Sequence, residues 1–246
     1  MFIFVLPNAT TMKKTMFLLV GTVFVLMTRC KKDAEIVVPD INFNPSIAYG
    51  SMTDQDGNIY KTVNIGTQVW MAENLRTTKY RNGLPIPEVS DATKWTGLSN
   101  GAYCKYDNDP VYVKVYGFLY NWLAVSDGKN IAPVGWHVPS DSEWLKLINY
   151  TGSEMFAGRN LKEAGTAHWT CPEYGGDDIY GFTALPGGWR ESGGTVGFIG
   201  INGIFWTSSE KDVNDAWDRV IYSCYEDIPQ DWAPKNYGFS VRCVKD

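Results

Sequence analysis

Histidine is the side chain best placed for proton transfer near neutral pH, and this chain of 246 residues has two, His137 and His168. His137 lies in "PVGWHVPSDSEW", between Pro133 and Pro139 and directly after Trp136. A general base there would need a nucleophile or a substrate proton within hydrogen-bond reach. The sequence has no Gly-x-Ser-x-Gly elbow, and nothing else in it marks such a partner. Prolines stiffen the backbone and remove donors, so the segment reads as scaffold around a buried, neutral imidazole that donates one hydrogen bond. His168 falls in the polar stretch "GTAHWTCPEY". It is expected on an exposed loop, where it could touch a ligand. Neither histidine has the neighbours of a transition-metal site, so no such metal is expected.

The acids were tested against calcium chemistry. "DQDGNIYKTVNI" starts like a calcium loop with Asp54, Asp56 and Asn58. Its sixth position is Ile59 and its twelfth Ile65, where glycine and a bidentate glutamate are needed. Asp56-Gly57 suits a turn instead. No cofactor is expected, although the loop acids Asp177, Asp178 and Asp215 leave room for a structural calcium. The glycine run "LPGGWRESGGTVGFIGING" lacks the Gly-Lys-Ser/Thr ending and following helix of a phosphate loop. Its glycines suit tight turns.

Aromatic residues are abundant: ten Trp, fourteen Tyr and eleven Phe. Trp70, Trp122, Trp136, Trp144, Trp189, Trp206 and Trp217 are expected in the core. Trp95, Tyr174, Tyr225 and Trp232 lie in polar segments, "DATKWTGLSN", "CPEYGGDD" and "CYEDIPQDWAPKN". A ring there could stack on a sugar or on a peptide side chain. Glu226, Asp227 and Asp231 could accept hydroxyl hydrogen bonds beside it. Trp95, Tyr174, Tyr225, Trp232 and Asp231 are therefore the candidate ligand-binding residues. The competing reading is that these rings pin their own loops.

The N-terminus speaks to location. "MKKTMFLLVGTVFVLMTRCKKD" places Lys13 and Lys14 before an apolar run of 12, Met16 to Met27, and then Cys30. That length suits a signal peptide and is short for a bilayer span. The segment resembles a bacterial lipoprotein signal read from Met12, with residues 1–29 removed and Cys30 acylated. Arg29 departs from the small residue usual there. By the same resemblance, the absence of Asp directly after Cys30 favours the outer membrane and display at the cell surface. Loss of residues 1–29 removes three bases and no acid, leaving 19 basic against 27 acidic residues. The whole chain already carries a net charge of -5. No basic stripe is available for nucleic acid, so the membrane contact expected is through lipid and not through charge. In an oxidising compartment the other cysteines, Cys104, Cys171, Cys224 and Cys243, allow two disulfides in three connectivities.

The elements that must position these residues follow. Residues 30–53 read as the lipid-anchor cysteine and a spacer, and the domain as 54–246. Ile59, Val63 and Ile65 on one face, then Val69 and Met71 after Gly66-Thr67, predict a β-hairpin. Phe118, Trp122 and Val125 have helical spacing. Ser140 with Glu143 predicts a capping box ahead of Trp144, Leu147 and Ile148. "GRNLKEAG" predicts a short helix. From Gly181 onward the pattern is glycines and short strands, with residues 165–236 as a long loop region.

"YGFLYNWLAV", "PVGWHVPSDSEW", "NLKEAG", "GFTALPGGWR", "FWTSS", "AWDR" and "GFSVRCVKD" occur in this order. In these motifs residues 54–246 resemble the Fibrobacter succinogenes major paralogous domain, a family carried on exported lipoproteins of the Bacteroidetes. The resemblance implies an α+β, C-type-lectin-like fold with short antiparallel strands, two to three helices and a long loop region. It also implies a relation to formylglycine-generating enzymes, but their closely spaced cysteine pair has no match, since Cys224 and Cys243 are 19 residues apart. The strings of calcium-dependent sugar-binding lectins are absent too. Many members of the family carry Cys where this chain has Ala132, so Cys243 is expected to be free or paired elsewhere. The resulting expectation is a non-catalytic, lipid-anchored surface module for a glycan or an extracellular protein. The alternative is a structural or adhesive envelope component without a small ligand.

Overall fold

The structure is a computed structural model that describes residues 36–246. Met12, the apolar run and Cys30 lie outside the described residues.

Strand β1 (Gly50–Thr53), β2 (Ile59–Ile65) and β3 (Gln68–Met71) form an antiparallel meander. Its turns fall at Asp56-Gly57 and Gly66-Thr67, as the sequence predicts. Gly57 and Gly66 have φ of 84° and 61°, a region a side chain would strain. Asp54 Oδ1 accepts hydrogen bonds from the N–H of Asp56 and of Asn58, each at 2.9 Å. The pattern that failed as a calcium loop thus closes a turn. Along β2, Tyr60 enters one core cluster while Val63 and Ile65 enter another. Ile59, expected beside Val63 and Ile65, is exposed at the strand's first position.

Further along come α1 (Ala92–Thr96), β4 (Tyr103–Cys104), α2 (Val113–Tyr116), β5 (Leu119–Asn121) and α3 (Trp122–Val125). Then follow β6 (Trp136–His137), α4 (Asp141–Tyr150), α5 (Ala157–Leu161), β7 (Gly187–Arg190) and β8 (Val196–Ile199). The chain closes with β9 (Asn202–Glu210), β10 (Asp215–Tyr222), β11 (Gln230–Pro234), β12 (Gly238–Phe239) and β13 (Val244–Lys245). One sheet has the order β1-β2-β3-β13-β6, and the other β11-β10-β9-β7-β12-β5-β4, with β8 on β7. The architecture is α+β and rich in strands.

The capping box forms in full: Ser140 and Glu143 exchange hydrogen bonds at the start of α4, and Trp144, Leu147 and Ile148 are buried below it. The helical reading of Phe118 to Val125 is corrected. Gly117 turns with φ 70°, Leu119–Asn121 is a strand between β4 and β12, and only Trp122–Val125 is helical. Asn121 caps that single turn by accepting from the Ala124 N–H. Among the described residues five helices are present where two or three were expected, because several are isolated turns of four or five residues. The expected loop region 165–236 contains β9 and β10, the two longest strands.

Two further expectations are revised. The spacer ends earlier than residue 53. Ile41, Phe43, Ile47 and Tyr49 pack against the core clusters, and β1 belongs to the sheet. Among the described residues the cysteines form one disulfide, Cys171–Cys224, with Cα atoms 5.3 Å apart. Cys104 and Cys243 are free thiols. They sit in separate clusters, Cys104 with Trp95 and Leu119, and Cys243 with Met71 and Ala132.

Candidate functional site

Strand β10 runs Asp215 to Tyr222, and alternation puts Asp218, Val220 and Tyr222 on one face. Their Cα partners on β9 are Trp206, Ile204 and Asn202, and Asp218 is paired with Asp231 of β11. The register shifts between Ala216 and Asp218, and such irregularities re-aim the side chains beside them. Over this face lies a cleft of about 200 Å³. It is lined by Asn202, Ile204, Asp218, Val220, Tyr222 and Asp231, with Trp189, Tyr237 and Phe239 as further ring walls. A space of this size is below the range for drug-sized ligands. It suits a single ring or the end of a side chain.

Asp218 is the unusual group in it. The residue is 2% exposed, and its Oδ1 is buried with no hydrogen-bond partner. Burial pushes its carboxyl up to about 8; the Asp231 charge adds to the rise and Arg219 opposes it. Near neutral pH the cleft therefore holds a largely protonated acid beside the exposed Asp231, whose Oδ1 accepts from the Trp232 N–H at 2.9 Å. Such a pair can donate to and accept from ligand hydroxyls, and can ionise toward a positive group.

Comparison with known proteins assigns the domain. The family model of the Fibrobacter succinogenes major domain matches residues 63–245. The chain belongs to this family. No curated protein and no solved structure matches it.

Within this Fibrobacter succinogenes major domain the sequence-predicted ligand residues do not converge. Trp95 is a correction: it is fully buried in α1, donates from Nε1 to the Asn236 carbonyl at 2.8 Å, and carries the Arg190 guanidinium 4.6 Å from its ring centre. The polar residues around it in sequence hid a core position. Asp231 lines the cleft and Trp232 meets its edge. By alternation the Trp232 ring belongs to the face of its strand partner Trp217, and Lys211 Nζ lies 3.8 Å from its centre. Tyr174 and Tyr225 flank the disulfide in a separate, shallow patch with Met155, Phe156 and Glu226. That patch adjoins the cleft through the Tyr222–Tyr225 ring contact, 5.7 Å between centres. The expected core tryptophans Trp70, Trp122, Trp136, Trp144 and Trp206 are buried, but Trp189 and Trp217 are only half-buried. Asp218, Tyr222 and Tyr237 were not singled out from sequence.

Both histidines differ from expectation. His137 is half-exposed, with Nδ1 2.7 Å from Asp246 Oδ1 and Nε2 2.8 Å from Glu143 Oε1. Burial alone would lower its pKa, but the bonds to the two acids outweigh it and raise the value. His137 thus bridges Asp246 and Glu143, the capping-box residue of α4. His168 is buried rather than exposed. Its Nδ1 meets Glu163 Oε2 at 2.6 Å, and its Nε2 meets the Pro39 carbonyl at 3.1 Å. Burial again pulls down and the Glu163 contact wins, raising its pKa.

The acids reserved for calcium are each engaged separately. Asp177 accepts from Arg159 Nε at 2.8 Å, Asp178 accepts from Thr183 N and Oγ1, and Asp215 lies 3.8 Å from Lys211. Among the described residues no group of three acidic, histidine or cysteine side chains is placed to hold a metal. Cys224 is bonded to Cys171, and Cys243 is a buried free thiol.

Proposed function

We propose that this domain is a non-catalytic binding module for an extracellular glycan, exported, held at the outer membrane through acylated Cys30 and displayed at the surface. The observation that carries the reading is the cleft on β9–β10–β11, where the aromatic residues Trp189, Tyr222 and Tyr237 line the same space as Asp218, Asp231 and Asn202. Aromatic faces stack on the apolar faces of sugars, and the acids and amide bond hydroxyls. A C-type-lectin-like ancestry is consistent with short strands, scattered one-turn helices and a site built from late segments of the chain. The test is a screen of the full chain against immobilised glycans, with Tyr237→Ala and Asp231→Asn as variants. Saturable binding that falls at least tenfold in both supports the reading. Binding indifferent to both variants removes this cleft from it.

A second reading, adhesion to a protein without a small ligand, draws on the patch beside the disulfide. Met155 is 66% exposed and Tyr225 62%. If Tyr225→Ser abolished retention of envelope proteins while glycans failed to bind, this reading would replace the first.

A further inference from the structure

The cleft holds two carboxyls and no counter-charge. Asp218 and Asp231 oppose each other across β10 and β11, an arrangement that disfavours ionisation of both at once. The neighbouring bases are turned elsewhere. Arg219 alternates to the reverse face and donates from Nε to Asp141 at 2.8 Å. Lys211 covers Trp232, and Lys235 is paired with Glu210. The cleft that Asp218 lines is otherwise walled by apolar side chains, Asn202 and the rings of Trp189, Tyr222, Tyr237 and Phe239, with Asp231 as the one other acid. Asp218 Oδ1 stays unpartnered although the side chain is almost wholly buried. Native structures seldom leave such an atom without a role.

A cation answers all of these features. It lets both acids ionise together and gives the unpartnered Asp218 carboxyl a partner, and aromatic rings lining the cleft attract positive charge. The cleft is short, so the cation must belong to a compact unit. Resting on the glycan reading above, we propose that the sugar this cleft selects carries a free ammonium group. It is an amino sugar without an N-acetyl cap, its nitrogen lying between Asp218 and Asp231 and its ring against the aromatic wall. Ionisation of Asp218 beside the ammonium sends the acid's proton to solvent, so binding at neutral pH releases a proton.

The experiment is calorimetry on the full chain with glucosamine oligomers, N-acetylglucosamine oligomers and glucose oligomers of one length, and a lysine-rich peptide. Each is run in two buffers of different ionisation enthalpy. The expected result is at least tenfold tighter binding of the glucosamine oligomer, with proton release. Asp218→Asn should remove both the preference and the proton release, and Asp231→Asn, on an edge strand, should weaken the preference. Equal binding of acetylated and free oligomers overturns the amine assignment and leaves the glycan reading standing. Binding of the peptide alone overturns both and points to a basic protein partner. A preference that survives Asp218→Asn overturns the role given to that residue.

Discussion

Burial holds the Asp218 proton up to about pH 8, against 3.8 for the free group. An acid raised in this way binds its proton more tightly folded than unfolded, so the native state loses stability as pH rises from about 4 through about 8. Asp218→Asn removes that loss. The variant is expected to melt higher than the parent at pH 8.5 and by much less at pH 5, with a difference on the order of a few kcal/mol at most. Melts at the two pH values check it, and a variant that is less stable at pH 8.5 would mean that Asp218 has a partner in the folded protein. His137 carries the opposite sign. Its pKa is raised by Asp246 and Glu143, so its contribution is full below about pH 6 and fades as pH climbs through the raised value. Because the imidazole is 36% exposed, His137→Gln should cost under about 1 kcal/mol at pH 5.5 and less at pH 9. An equal loss at both pH values would show packing rather than charge. Asp218 was legible in one respect: in "AWDRVIY" it occupies the face of Ala216, Val220 and Tyr222, an acid in an apolar row. That signal is local. Its pairing with Asp231 is not, since the β10–β11 register depends on the turn between them.

At the scale of elements, the segment before β1 is held by a buried clamp. Glu163 accepts from the Asn42 N–H through Oε1 at 2.6 Å and meets His168 through Oε2, while His168 reaches the Pro39 carbonyl. His168→Ala leaves the buried Glu163 carboxyl without its imidazole partner, a change that costs roughly 3–5 kcal/mol. Limited proteolysis is expected to cut the variant within residues 38–47 before the sheets open, and a parent-like digestion pattern would show that the segment is held by its apolar contacts alone. A second pin joins α5 to the disulfide loops. Lys162 Nζ donates to the carbonyls of Tyr174, Ser223 and Tyr225 at 2.6–3.1 Å, and its burial lowers its pKa to about 8. Elements fixed by short-range rules were readable from sequence: the β2–β3 hairpin by its turn, α4 by its capping box. Elements fixed by distant partners were not. Leu119–Asn121 has helical neighbours in sequence but is drawn into a sheet by β4 and β12. Trp95 sits in a polar window yet is buried by Arg190 and Asn236, 95 and 141 residues away along the chain.

On the scale of the whole molecule, the cysteines connect the fold to the proposed anchor. Cys104 and Cys243 are both fully buried, and burial raises both thiols, Cys104 to about 11 and Cys243 further. The thiolate is the reactive form, so neither should react in the native protein. The disulfide closes a separation of 53 residues, and linkages of this kind contribute about 2–4 kcal/mol. Sequence parity suggested a second bridge. Three-dimensional placement denies it, because Cys104 lies under α1 and Cys243 lies in the cluster that contains Ala132. The full chain purified from membranes, denatured without reductant, should therefore release two thiols if Cys30 is acylated and three if it is not. A count of zero or one would restore the second disulfide, and four or more would remove the first. Mass measurement of the N-terminal peptide separates the two expected counts independently. Two thiols together with a lipid mass at Cys30 would tie the cleft to a membrane surface. Three thiols with an unmodified Cys30 would detach the domain from the outer membrane and leave the cleft's ligand to be sought in solution.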